Sequence, residues 1–132
     1  IMHSYVIDSS VLLALLKKEP GSENYYDYLK DSVISSVNIT EVAGILIARH
    51  DIPKDKVIAT MSQLVGTVIN FSGKQAYIAA DLEKINMQNK LGLSLGDKAC
   101  ISLGILMNLT VCSTDRIWGN VKVENLKINL LR

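Results

Sequence analysis

Residues 4–16 read SYVIDSSVLLALL, and this stretch decides the fold. Tyr5, Val6 and Ile7 form an unbroken apolar run, the pattern of a strand covered on both faces. From Ser10 onward, Val11, Leu12, Leu15 and Leu16 recur at helical spacing. The helix is expected to stop at KKEPG, where Pro20 and Gly21 are stop signals. Asp8 stands between the two runs, one carboxylate pressed between a buried strand and a buried helix. A chain places a charge there when the strand delivers it to a rim.

Outward from that unit the same alternation continues. SENYYDYLK (22–30) reads as a second helix and SVISS (32–36) as a second strand. Asn38 opens a helix with Ile39, Val42 and Leu46 on one face, ending near His50. IPKDKVIATMSQL (52–64) reads as a helix with Pro53 in its first turn. TVINF (67–71) reads as a third strand, and a long helix runs from about Ser72 to Lys90 until LGLSLG interrupts it. DKACISLGILMN (97–108) is helical, LTVCS (109–113) a fourth strand, TDRIWG (114–119) a helical turn and LKINLL (126–131) a final strand. Strands separated by helices imply crossover connections. The expected fold class is therefore α/β, with a parallel central sheet of four or five strands and helices on both faces. With no linker, repeat or low-complexity tract, residues 1–132 are expected to form one domain.

Composition narrows the class. Apolar residues make up 48% of the chain and mean hydropathy is +0.23, which suggests that part of the surface meets a partner. Fourteen Lys/Arg against thirteen Asp/Glu give a net charge of +1, so nucleic-acid binding would need a local patch rather than a global positive field. Cys100 and Cys112 lie in apolar stretches and read as buried free thiols in a reducing cytoplasm. No apolar run is long enough to cross a membrane, and no signal peptide is visible.

In an open parallel sheet, ligands bind beyond the carboxyl ends of the strands. Four acids fall at strand-to-helix junctions or first helical turns: Asp8 after YVI, Glu41 after SSVNIT, Asp97 in LSLGDKA and Asp115 after TVCST, three of them expected on one rim with Asp97 joining from the start of its helix. Each has a local explanation. Asp8 can cap its helix, Asn38/Glu41 and Ser94/Asp97 have capping-box spacing, and Asp115 suits a helix N-terminus. A cap contributes about 0.5–2 kcal/mol. Two carboxylates ~5 Å apart repel by about 3 kcal/mol at an effective dielectric near 20. Four on one rim therefore imply a cation among them, and an all-oxygen set selects Mg2+ or Mn2+ over zinc.

VIDSSVLLALL (6–16), SSVNITEVAGIL (35–46), LSLGDKACISLG (93–104) and VCSTDRIW (111–118) together resemble the four acidic motifs of PIN-domain ribonucleases, and most of all those of the VapC-type toxins. The resemblance spans almost the whole chain, in order. It implies Mg2+- or Mn2+-dependent hydrolysis of RNA, a homodimer and a cognate antitoxin. It departs from some members at Ile117 and Trp118, which occupy places where those members carry a further acid or amide. On this reading Asp8 and Asp97 bind metal directly. Glu41 holds a metal-bound water or acts as general base, and Asp115 completes the site. Ser9 and Thr114 orient carboxylates or touch phosphate, while Lys98 and Arg116 bind the RNA backbone.

Other residues carry weaker signals. Trp118 offers base stacking or a core role. Tyr26 of one short helix, with Val57, Ile58, Met61 and Leu64 of another, suggests a groove for an amphipathic antitoxin segment. A haloacid-dehalogenase-type phosphatase would need a second aspartate where Ser10 stands. A phospho-acceptor receiver would need a strand-end aspartate mid-chain, whereas Asp51 follows a helix. The alternative from another class is a catalytically silent PIN-like module that binds RNA or protein.

Overall fold

A computed structural model describes residues 3–132. Five strands, β1 (Tyr5–Ile7), β2 (Ser32–Ser35), β3 (Thr67–Ile69), β4 (Thr110–Ser113) and β5 (Ile128–Leu130), form one sheet in the order β3-β2-β1-β4-β5. Every pairing is parallel, as crossover connections require. Six α-helices connect them: α1 (Ser9–Leu16), α2 (Tyr26–Leu29), α3 (Ser36–His50), α4 (Lys54–Leu64), α5 (Gly73–Gln88) and α6 (Leu95–Met107).

The continuous apolar strands work because successive side chains leave the sheet on opposite sides. Ile7, Ile34 and Cys112 enter one core with Val11, Leu12, Leu29, Val42 and Met61. Their neighbours Val6, Val33 and Val111 enter the other with Leu82, Ile101, Leu103 and Trp118. Strands of three or four residues suffice because the central ones, β1, β2 and β4, are buried on both faces, whereas the edge strands β3 and β5 are only partly covered. Among the described residues, no helix is long and apolar enough to cross a membrane.

Two expectations from sequence are corrected here. The helix expected to open at Asn38 begins two residues earlier at Ser36. Ser35 is its cap, its hydroxyl accepting the Val37 N–H at 3.2 Å, and this leaves Asn38 fully buried inside the helix. Residues 22–30 are not one helix but a 3-10 turn (Ser22–Tyr25) followed by the four residues of α2.

The strand order fixes where a ligand belongs. Chain progress from β1 runs outward through β2 and β3, whereas β4 and β5 lie on the other side of β1. The order reverses between β1 and β4, so the crevice beyond their carboxyl ends is the switch point at which open α/β sheets bind ligands.

Candidate active site

Asp8 follows β1 directly at that switch point, and its N–H donates to the Cys112 carbonyl of β4 at 3.0 Å. It occupies the cap position of α1 but makes no side-chain capping bond. Its Oδ2 instead accepts from the Ser10 hydroxyl at 2.6 Å and the Ser113 hydroxyl at 3.0 Å, contacts that helix capping does not account for. Only 4% exposed, Asp8 has a pKa pushed up to about 6 by burial, with Asp97's negative charge adding to the rise and the Ser10 and Ser113 hydrogen bonds offsetting part of it.

Glu41 comes from the second turn of α3. Its Oε1 accepts from the Ser9 hydroxyl at 2.6 Å and from Asn38 Nδ2 at 2.8 Å. The carboxylate lies so close to Gly96 of α6 that a Cβ there would stand 2.4 Å from Oε2. Asp97, one residue further on, forms the expected capping box with Ser94: its Oδ2 accepts the Ser94 N–H at 2.9 Å while Ser94 Oγ accepts the Asp97 N–H. Partial burial raises its pKa, and the charges of Asp115 and Glu41 raise it further. Asp115 caps the 3-10 turn Arg116–Asn120 through Oδ1, which accepts the Ile117 N–H at 3.1 Å.

The four acids therefore share one electrostatic neighbourhood, with Asp97 at its centre. They also share a pattern. In each, the side-chain hydrogen bonds described above fall on one carboxylate oxygen: Oδ2 of Asp8, Oε1 of Glu41, Oδ2 of Asp97 and Oδ1 of Asp115. Capping alone accounts for Asp97 and Asp115 but not for the Asp8 and Glu41 arrangements. The donor set fits a hard divalent cation, being all oxygen with excess negative charge and one carboxylate largely out of water. Among the described residues no three His, Cys, Asp or Glu side chains are grouped tightly enough to hold an ion as they stand. Closing on a cation therefore requires side-chain movement.

The hydroxyls serve the acids. Ser9 donates its proton to Glu41, and Ser10 links Asp8 to the β4 end by accepting the Thr114 N–H at 3.0 Å. Ser113 accepts the Asp115 N–H at 3.1 Å besides donating to Asp8. Thr114 itself is buried. Lys98 is ion-paired to Glu83 of α5 at 2.9 Å, whereas Arg116 is exposed and has no partner among the described residues. Sequence reasoning missed Ser10, Ser113, Asn38 and Gly96. Asn38 and Gly96 lie 58 positions apart, and the Ser113–Asp8 pair 105 apart, so no local pattern joins them.

Other residues fall outside the site. Trp118 is fully buried in the second core, which rules out base stacking. Cys100 and Cys112 are free and buried; burial drives the Cys100 thiol far up and Cys112 to about 12, so neither is a nucleophile. The two short helices do not share one groove: Val57, Ile58 and Met61 of α4 line an apolar cavity with Ile39 and Ala43 of α3, Ile58 being the exposed large apolar residue of α4, while Tyr26 lines a separate cleft against Leu15 and Lys18.

A doubly covered parallel sheet with acids gathered at its switch point defines a class of domain rather than one protein. The PIN domain family model matches residues 5–124, and the chain belongs to the PIN domain family. No curated protein sequence gives a significant match. Among solved structures, the chain is similar to VapBC2 from Rickettsia felis bound to a DNA fragment from its promoter. The TM-score there is 0.75 at 18% identity, over 96% of this chain and 97% of that one. It is similar also to DNA-bound VapBC from Salmonella typhimurium (TM-score 0.75, 12% identity, 99% and 100% covered). A third is Mycobacterium tuberculosis VapC20, described as a Sarcin-Ricin loop cleaving toxin (0.68, 15%, 92% and 98%). At such identities the likeness is one of fold.

Proposed function

We propose that the chain is a Mg2+- or Mn2+-dependent endoribonuclease, a single domain acting in the cytoplasm as the VapC-type toxin of a toxin–antitoxin pair. The observation that carries this reading is the set of four carboxylates at the switch point, in which Asp97 lies close enough to Asp8, Glu41 and Asp115 for their charges to act on one another through it. Membership of the PIN domain family and a fold shared with chains solved in VapBC complexes support it.

Asp8 and Asp97 are assigned as the direct ligands, Glu41 as holder of a bound water or general base, and Asp115 as the member completing the set. A divalent ion bound there would polarise the scissile phosphate and ease formation of hydroxide for in-line attack. The chain's own residues prepare for it. Ser10 and Ser113 fix Asp8 through one oxygen, and Ser9 and Asn38 do the same for Glu41. Ser9 thus acts on Glu41 rather than on RNA, and Thr114 contributes its backbone to Ser10. Arg116 is the cation best placed to meet the RNA backbone; Lys98 must first leave Glu83. The remaining partners are a cognate antitoxin and, in a homodimer, a second copy.

Purified protein incubated with total RNA in Mg2+, in Mn2+ and in EDTA tests the reading. Cleavage that EDTA abolishes, and that Asp97→Asn abolishes without unfolding the protein, is the expected result. Absence of both cleavage and calorimetrically detected divalent binding would leave a silent binding module.

A further inference from the structure

Asn38 is a fully buried polar side chain in the first turn of α3, three residues before Glu41. Its Nδ2 donates to Glu41 Oε1 at 2.8 Å and, across to the first turn of α6, to the Gly96 carbonyl at 3.1 Å. Both amide protons are thereby used on oxygens, which fixes the amide's orientation, since turning it over would set Oδ1 against both. Oδ1 is left buried without a protein partner. An apolar side chain would fill this position without that penalty, so stability alone does not account for an asparagine here.

Gly96 presents a matching anomaly. It lies within α6, where its backbone is ordinary helix and any alanine would be favoured. A Cβ built on it meets Glu41 first: Oε2 at 2.4 Å, Oε1 at 2.5 Å and Cδ at 2.6 Å. The absent side chain is the space in which the Glu41 carboxylate lies, immediately beside Asp97.

We propose that Asn38 and Gly96 are positioning residues for the reaction, forming a two-part seat that sets the second oxygen of Glu41 relative to Asp97. Asn38 holds the carboxylate by one oxygen and ties it to α6, and Gly96 lets it lie flat against that helix. The proposal rests on the reading of Glu41 as part of the metal-holding set. It explains why residues on α3 and α6 keep a fixed spacing although their carboxylates repel.

The test combines Mn2+ calorimetry on the whole protein with a thermal-stability cycle in EDTA. Gly96→Ala and Asn38→Ala should each weaken Mn2+ binding by about 10- to 100-fold, the usual range for residues that orient a ligand. In EDTA, Gly96→Ala should lower the melting temperature in the wild-type background. In a Glu41→Ala background it should raise it, because the obstructing atoms are gone and alanine is the better helix former. Mn2+ binding unchanged in both single variants overturns the proposal, and so does a Gly96→Ala effect of the same sign in both backgrounds. If the wild type binds no Mn2+, the nuclease reading fails, while the sign of the cycle still decides whether the seat exists.

Discussion

Replacing Asp8 by asparagine should stabilise the metal-free protein while destroying the proposed nuclease activity. Asp8 is 4% exposed and its pKa is held at about 6 against an ordinary value of 3.8. The folded state therefore binds this proton more tightly than the unfolded chain does. Stability from this group is fully present below about pH 4, declines as pH rises toward 6, and is absent above it. About two pKa units correspond to about 3 kcal/mol at pH 8, a large share of the 5–15 kcal/mol typical of a domain. Asp8→Asn removes the charge yet keeps an oxygen to accept from Ser10 and Ser113.

Urea unfolding followed by circular dichroism, in EDTA at pH 4 and pH 8, measures the effect. Up to about 3 kcal/mol of stabilisation is expected at pH 8, little at pH 4, with a residual wild-type slope from Asp97. Adding Mg2+ or Mn2+ should stabilise the wild type by mass action and leave the variant almost unmoved. A variant less stable than wild type at pH 8 in EDTA, or one that still cleaves RNA, would refute the reasoning.

Arg116→Ala should raise the RNA concentration needed for cleavage and reduce the salt slope by about one contact without altering Mn2+ affinity, whereas Lys98→Ala should do less because Glu83 already occupies that ammonium. Glu83→Gln should correspondingly tighten RNA binding, read by fluorescence anisotropy with the inactive Asp97→Asn chain. Gly104→Ala places a Cβ 2.2 Å from Val111 Cγ2 at the α6–β4 contact and should destabilise the fold by about 1–3 kcal/mol in chemical denaturation.

The fold was readable because the strands needed no help from distant residues. Adjacent pairs such as Val6/Ile7, Val33/Ile34 and Val111/Cys112 are apolar on both faces, a pattern that only a doubly covered sheet satisfies. The start of α3 was harder, since Ser35, Ser36 and Asn38 are all competent caps. Tertiary contact chose among them: Asn38 is required by Glu41 and Gly96, Ser36 Oγ accepts the Phe71 N–H at 3.1 Å, and Ser35 was left to cap. The same physics limited the reading of the helices around Tyr26 and Met61. Apolar spacing shows that a helix has a buried face but not which residue turns outward, and here Ile58 rather than Met61 does.

At the site, the acids were legible because strand ends and helix starts are marked in sequence, while the residues that orient them were not. Ser10, Ser113, Asn38 and Gly96 follow no periodicity, and each has an adequate local excuse as a cap, a turn residue or a helix glycine. What distinguishes them is that they break local rules together. A carboxylate is buried at Asp8, an amide oxygen is orphaned at Asn38, a glycine sits inside α6, and four like charges share one rim. Each disfavours the folded state, and a chain selected for stability alone would have shed them independently. Their concentration within a few residues of the β1–β4 switch point is the mark of a function that requires all of them at once.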